Sequence, residues 1–554
     1  MRFSVAGRLS ASALVIVLVT TNSCYDDSVY EDILAQQAGL TGSTGETAAA
    51  DAGSGGSSVS TSLSGTAGAD SSDGSDSSGG EALDLGGDLE PQGANPEIFE
   101  FTATPSKLDA AGPLLLDLKV SDDVQEIELL RVDNGGGTLA KLSPNDLPFH
   151  QAIVSASDNG NHLYRAIARN DQGEETRADL EVTVALPETG QEIWSWESEH
   201  LESEVLGIIA LDGGAVIVGY IVENGEPKPL VTRLSSTGKL LWEVSPSDDR
   251  GYACALTLRP QGDLIVIGNS YKDGGFTDQA MWMRRLSVDG EVSPTWGDDG
   301  VTGERAVAVT TDELGQIVIA GDFQTSGMKP HHDLRVWAYK SGGASRWSET
   351  WTRPGVMYDR DEQAHAALVL PSGDILVAGH TSQDLFELPA RRQALILKLD
   401  TSGLFDDAPW IDTSEHYVSE LHSLARTDKG DLFVAGRATA PNEAPRATVW
   451  RIDEDLKTQL WSRPLSQGDD VFAESIRLTA NNDVVIGSTK DERFQVTIAK
   501  PVGEGPFIWQ EKLEFAGGPD RLRDLTLDPY DYIYVAGQAT VGVERRAYAR
   551  RVSP

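Results

Sequence analysis

Cysteine is almost missing from this chain: its 554 residues contain two, Cys24 and Cys254. One pair cannot supply the disulfide framework that staples small secreted domains, so stability has to come from packed cores. Positive charge is scarce as well, with 45 Lys and Arg against 86 Asp and Glu, a formal net charge of −41. No Lys or Arg occurs between Arg8 and Lys107. Such a field repels nucleic acid and anionic lipid and attracts cations or basic partners, so no nucleic-acid partner is expected; it equally keeps a secreted protein soluble. Long apolar runs are also missing. The longest near the N-terminus, Ala13 to Val19, is too short to span a bilayer, and none further on reaches the ~10–12 residues of a buried helix. The usual enzyme signatures are lacking too: no Gly-x-Ser-x-Gly elbow, no phosphate-cradling glycine loop and no His-Glu-x-x-His.

What is present is repetition. Gly-Gly-Ala-Val-Ile-Val-Gly ends at Gly219, Gly-Asp-Leu-Ile-Val-Ile-Gly at Gly268 and Gly-Gln-Ile-Val-Ile-Ala-Gly at Gly321. Gly-Asp-Ile-Leu-Val-Ala-Gly and Gly-Asp-Leu-Phe-Val-Ala-Gly follow at Gly379 and Gly436, and shorter forms end at Gly487 and Gly537. The closing glycines are 49, 53, 58, 57, 51 and 50 residues apart, a period that signals a repeat architecture. Each copy holds four short β-branched segments bounded by Gly, Pro, Asp and Ser, the signature of strands and hairpins. Tryptophan recurs after the third segment, at Trp242, Trp296, Trp347, Trp410, Trp461 and Trp509. Four antiparallel strands per unit, arranged radially, predict a seven-bladed β-propeller over residues 191–554, in an all-β protein.

The last copy stops without its tryptophan segment, and an orphan one, Glu192-Ile193-Trp194-Ser195-Trp196-Glu197, precedes the first copy. The expectation is that it crosses the seam as the outer strand of the last blade, leaving no open sheet edge. The alternative is a strand local to the first blade.

Residues 1–23 carry Arg2 and Arg8, the short apolar run and then small polar residues, the layout of a signal peptide. Residues 24–95 are Gly, Ser, Thr, Ala and Asp in composition and cannot bury enough apolar surface to fold. They read as a disordered tether with a reach of roughly 40 Å. Residues 96–187 alternate short apolar strands with turns, which predicts an immunoglobulin-like β-sandwich serving as spacer or binding module.

Two resemblances follow from these residues. Ser23-Cys24 after the apolar run resembles a bacterial lipobox, although Thr21 stands where that family prefers Leu. The repeat Gly-Asp-Ile-Leu-Val-Ala-Gly with its later tryptophan, and Asp158-Asn159-Gly160-Asn161-His162-Leu163-Tyr164 before it, resemble the propeller repeats and Ig-like modules of bacterial surface and periplasmic lipoproteins. The resemblance implies lipidation of Cys24, a membrane partner through that lipid, and residence in the bacterial cell envelope; the alternative is cleavage nearby and a free protein. With Cys24 acylated, Cys254 reads as a small buried hydrophobe. Thr237-Gly238-Lys239-Leu240-Leu241-Trp242 resembles the tryptophan-docking motif of quinoprotein propellers. Other copies depart from it and Cys254 is alone, so the tryptophans read as blade-to-blade packing and no cofactor is expected. His331 and His332, adjacent on an extended chain, point to opposite faces, and no metal is expected there.

The connections into each blade's first strand are polar and variable. They carry Asp249, Tyr252, Tyr358, Asp361, Glu362, Tyr417, Glu420, Asp470 and Phe472. In a propeller such loops converge at one mouth of the central channel, where carboxylates and rings would meet a protein or glycan ligand. The function expected is that of a monomeric, non-enzymatic binding protein. A scaffold subunit of envelope assembly and a polysaccharide-acting hydrolase or lyase are the alternatives.

Overall fold

The computed structural model describes residues 95–133, 137–153, 158–188, 190–271, 279–325, 331–353, 361–382, 392–406, 408–412, 418–440, 443–465, 472–490, 493–500, 508–514, 520–541 and 544–553. The signal-peptide and lipidation expectations and nearly all of the tether lie outside these residues. Among them the chain is all-β, with a 3-10 turn at Pro144–Asp146. No helix of the described residues is long and apolar enough to cross a membrane.

Near the N-terminus two sheets enclose one core. Ile98–Thr104, Gly112–Val120 and Phe149–Ile153 form a three-stranded sheet. The other has five strands, in the order Lys107–Leu108, Glu175–Val184, Gly160–Asn170, Val124–Arg131, Gly137–Leu142. In Gly112–Val120 the buried residues Leu114, Leu116 and Leu118 alternate with more exposed neighbours, the period-two pattern of a strand with one face on the core. They meet Ile127, Leu129, Tyr164 and Val182 from the second sheet.

Beyond Gln191 the chain builds small antiparallel sheets in succession. Their opening strands are Ser203–Leu211, Gly251–Leu258, Glu304–Thr311, Glu362–Val369, Val418–Arg426, Phe472–Leu478 and Asp520–Leu527. Each opening strand pairs with the strand that contains the repeat's closing glycine, and that one with a third and then a fourth. The fourth and fifth sheets touch through one parallel bridge, Arg392 to Val418. Leu264–Tyr271 is buried at every position, which explains why the second segments read as unbroken apolar runs: the sheets cover both of their faces. One core cluster shows the stacking, joining Ala308, Val318 and Leu334 of one sheet to Ala364, Val377 and Leu397 of the next.

Each opening strand lies against the opening strand of the following sheet, and Ser203–Leu211 also lies against Asp520–Leu527. The succession therefore returns to its start, a propeller-like arrangement. The seam carries the expected strand exchange. Glu192–Glu197 pairs antiparallel with Glu544–Val552, matching Trp196 to Ala549 and Trp194 to Arg551. Trp194 then does what Trp242, Trp296 and Trp347 do. Each lies on a glycine in the turn before the next sheet's outer strand: Trp194 on Gly238, Trp242 on Gly290, Trp296 on Gly343, Trp347 on Gly403. These glycines have φ of 74°, 87°, 85° and 92°, and a Cβ there would collide with the indole, so both backbone and contact require glycine. Trp242 Nε1 also donates to the Val288 carbonyl at 3.0 Å.

Because Glu192–Glu197 is the only partner for the outer edge of Glu544–Val552 among the described residues, a chain shortened to begin at Ser198 should melt at lower temperature than one beginning at Pro187, and should aggregate through that edge. Equal melting of the two in a thermal scan would show that the strand does not hold the seam.

Candidate functional site

The ring's centre is built from one local distortion, repeated. In every opening strand the register with the second strand slips by one residue beside the closing glycine, for example between Val205 and Gly207, between Ala364 and Ala366, and between Leu421 and Ser423. Such a slip is a β-bulge, which twists the strand and re-aims one side chain. The glycine is its counterpart. At Gly219, Gly321, Gly379, Gly436 and Gly537 a Cβ would run into the carbonyl oxygen of Glu204, Arg305, Gln363, Glu420 and Arg521 respectively.

The bulged residues are Leu206, Cys254, Val307, His365, His422, Glu474 and Arg523, all buried. Three successive sheets bring apolar groups to the hub and the next four bring polar ones. On the apolar side the buried Cys254 thiol donates to the Ala306 carbonyl at 3.3 Å. Beside it the buried amide of Asn269 donates to that carbonyl at 2.9 Å and accepts from the Ala306 N–H at 2.8 Å, stitching two sheets together.

On the polar side the bulged groups touch in sequence. His365 stacks on His422 with ring centroids 5.2 Å apart, and its Nε2 lies 3.0 Å from His380 Nδ1. His422 is 3.2 Å from Glu474 through Nδ1 and 3.5 Å from Glu420 through Nε2. Glu420 also accepts Arg392 at 2.6 Å and pairs with Arg437 at 2.7 Å. Further round, Arg523 pairs with Glu204 across the seam, Tyr220 donates to Glu204 at 3.0 Å, and Asp524 takes Arg477 at 3.1 Å. Removing single charges from water is costly, and mutual pairing is what lets them stay there.

Burial alone would depress His422, but its hydrogen bonds to Glu420 and Glu474 and their charges raise it to about 9. Burial would likewise raise Glu420; the hydrogen bond from His422 and the charge of Arg437 hold it well below the usual carboxylate range. Burial pushes His380 down to about 3 and, with the charge on His422, holds His365 well below the ordinary histidine value. Burial takes Asp524 up to about 6 against the pull of Arg477. The hub therefore holds one charged imidazole between two carboxylates, next to a neutral histidine pair.

The structure spreads the expected ligand residues over three settings. Asp249 is exposed in a bend. Asp361 is half-buried and accepts the His332 N–H at 2.9 Å, while Phe472 is half-buried beneath the Arg437 guanidinium, 5.0 Å from its centre. Tyr252, Glu362 and Glu420 lie on opening strands and are buried. The Tyr252 hydroxyl donates to Gln279 at 3.0 Å, and Glu362 accepts from Thr381 at 3.0 Å. Tyr358, Tyr417 and Asp470 lie outside the described residues.

One arrangement near Asp361 escaped the sequence reading. His332 opens the third strand of its sheet, and its Nδ1 is 2.8 Å from Asp322, which is fully buried and also receives Arg305 at 2.7 Å. Burial would raise Asp322, but the charges of Arg305 and His332 and the hydrogen bond from His332 keep it below the usual carboxylate range. The imidazole stays about one-third exposed, 30% by side-chain area, and oriented by an ionised carboxylate. Among the described residues no group of three or more His, Cys, Asp or Glu is arranged to hold a metal ion.

No family model matches the chain, and no curated protein matches it. Among solved structures, a protein of unknown function from Dyadobacter fermentans is 11% identical, with 55% of this chain and 95% of that one covered and a TM-score of 0.39. A polysaccharide lyase is 13% identical, covering 64% and 90%, with a TM-score of 0.39. A glucose dehydrogenase is 12% identical, covering 65% and 98%, with a TM-score of 0.31. These likenesses bear on neither activity nor ligand.

The raised His422 sets a pH window. A histidine whose folded pKa lies above its ordinary 6.5 adds stability that is fully present below 6.5 and is lost as pH rises through about 9. The melting temperature should therefore fall across that interval. His422→Gln should flatten the fall and cost about 3–5 kcal/mol near neutrality, because Glu420 and Glu474 lose the cation between them. Thermal unfolding of both proteins across the interval is the measurement; an unchanged alkaline slope in the variant would assign the effect elsewhere.

Proposed function

We propose that this chain is a lipid-anchored binding protein of the bacterial cell envelope. It carries a seven-bladed β-propeller as its head, an immunoglobulin-like sandwich as spacer and residues 24–95 as tether. The observation that carries a binding role is the condition of the hub: its buried carboxylates are neutralised internally, Glu420 by Arg392, Arg437 and His422, and Glu204 by Arg523. Charges committed in this way hold sheets together and leave contact with a partner to the surrounding loops. The loop end that carries Asp249 and Asp361, with Tyr358, Tyr417 and Asp470 in its connections, is the proposed contact face for a protein or glycan. Acidic groups there favour a basic patch, and the contact weakens with salt.

Replacing Asp249, Tyr358 and Tyr417 together by Ala should abolish salt-sensitive partner recovery from native membranes without lowering the melting temperature. Full recovery by a folded variant would remove the loop end as contact face. Cys24→Ala should shift the protein from the detergent phase to the soluble extract, and a variant that stays with membranes would refute the lipid anchor.

A second reading, a hydrolase or lyase acting on polysaccharide, has one observation in its favour. His332, about one-third exposed, has its imidazole oriented by the buried Asp322 carboxylate, 2.8 Å from Nδ1. Turnover on a polysaccharide panel that disappears in His332→Ala would establish it.

A further inference from the structure

The seam joins parts of the ring that are far apart in sequence: Gln191 and Ser553, which meet there, are 362 positions apart. The strand that makes the join, Glu192–Glu197, has only six residues. A strand this short closes a long loop, so few hydrogen bonds stand against a large loss of chain freedom. Just past its C-terminal end the chain is tied down within the ring. Ser198 N–H donates to the Ala547 carbonyl at 2.9 Å, and the buried Ser203 hydroxyl accepts the Ala547 N–H at 2.9 Å.

Its N-terminal end is tied to the unit formed by the two N-terminal sheets. Ser553, directly after Glu544–Val552, accepts the Gly190 N–H at 3.2 Å and donates its own N–H to the Gln191 carbonyl at 2.9 Å. Its hydroxyl accepts the Gln191 N–H at 3.0 Å and donates to the Glu188 carbonyl. On the other side of Pro187 the chain belongs to the two-sheet unit. Ala185 N–H donates to the Leu108 carbonyl at 2.8 Å. The Asn159 amide accepts the N–H of the buried Leu186 at 2.6 Å and donates to its carbonyl at 2.9 Å. Little of the connection is left in which to swivel.

The two-sheet unit also touches the ring directly, at Ala111. This residue packs against the unit's own core, with Leu114, Ile127 and Val182, and against the seam cluster that holds Trp194, Tyr534 and Ala549. Its N–H donates to the Tyr532 hydroxyl at 2.8 Å, 421 positions away. Tyr532 is buried, with the Arg551 guanidinium 3.8 Å from its ring centre, and Arg551 is the residue that Trp194 faces across the seam pairing. Connection and loop thus converge on the seventh sheet from two directions.

We propose that the two-sheet unit is a clasp that keeps the ring closed at its seam. For Glu192–Glu197 to peel from Val552, Gly190 and Gln191 have to leave Ser553. That movement is resisted as long as Leu186 is fixed in a unit docked through Ala111, so opening the seam requires undocking the unit as well. The clasp rests on contacts within the chain and is independent of the lipid anchor and of the loop-end contact.

The test is hydrogen exchange read by mass spectrometry on the full chain. Tyr532→Phe keeps the ring beside Arg551 and removes only the oxygen that accepts the Ala111 N–H. Peptides from residues 188–197 and from Glu544–Val552 should then exchange about three- to tenfold faster, the range that loss of one hydrogen bond gives. Glu362–Val369, on a distant sheet, and Gly160–Asn170, inside the two-sheet unit, should keep their rates. Ser553→Ala loosens the connection directly and should speed the same seam peptides. Seam peptides that respond to Ser553→Ala and not to Tyr532→Phe would show that the connection alone holds the seam, and would overturn the proposal. So would seam rates unchanged in both variants, acceleration by Tyr532→Phe confined to residues 109–112, or equal acceleration of Glu362–Val369.

Discussion

Six of the seven closing glycines, all but Gly487, face a carbonyl that leaves no room for a Cβ, and much of the structure rests on that approach. Because the second strand can come so close, the opening strand can carry an extra residue, and the bulge turns that residue into the centre of the ring. At all of them but Gly487, whose nearest neighbours are the Leu522 and Leu525 side chains, a Cβ would press against a backbone carbonyl that cannot move aside. The sheet would have to give up the bulge, and with it the placement of Leu206, Cys254, Val307, His365, His422, Glu474 or Arg523. A single local requirement thus fixes both the repeat's most visible residue and the composition of the hub.

What the hub does with its polar half follows from desolvation. Isolated, Glu420 or His422 could not remain charged there; burial works against both. Charged together they are stable, and removing one leaves the other stranded. Such a network adds specificity of arrangement as well as energy, because only one order of neighbouring sheets brings His422 between Glu420 and Glu474 and sets Arg523 beside Glu204. The apolar half obtains the same sheet-to-sheet stitching from Asn269, at smaller electrostatic cost.

The repeat, its strands and the exchange at the seam were legible in the sequence because glycine and tryptophan mark fixed backbone positions. Trp194 behaves as Trp242 does because the same contact demands the same residue. The polar sites were less legible for an equally physical reason. Glu362 and Glu420 stand at strand starts next to acidic connections, and in an acidic chain a carboxylate that will be buried between arginines looks like one that will be solvated. Arg392 and Arg437, which decide the matter for Glu420, are distant in sequence and reach it only through strand register. The pairing of His332 with Asp322 was hidden likewise, ten residues apart on neighbouring strands.

Leu456 stands where the equivalent turns have Gly238, Gly290, Gly343 and Gly403, its N–H bonding back to the Asp453 carbonyl. It was visible in the sequence and still not read, since a missing glycine announces itself only once the turn is aligned with its equivalents. Its position carries a general argument about repeat architectures. A sheet in a closed succession must satisfy both neighbours, so most changes at a junction are excluded by packing on two sides. At this junction Leu456 is buried in a core cluster with Trp410, so its side chain supplies apolar packing that a glycine would lack. The backbone strain of Leu456 at φ 56° is thus set against the apolar contact its side chain makes in the core.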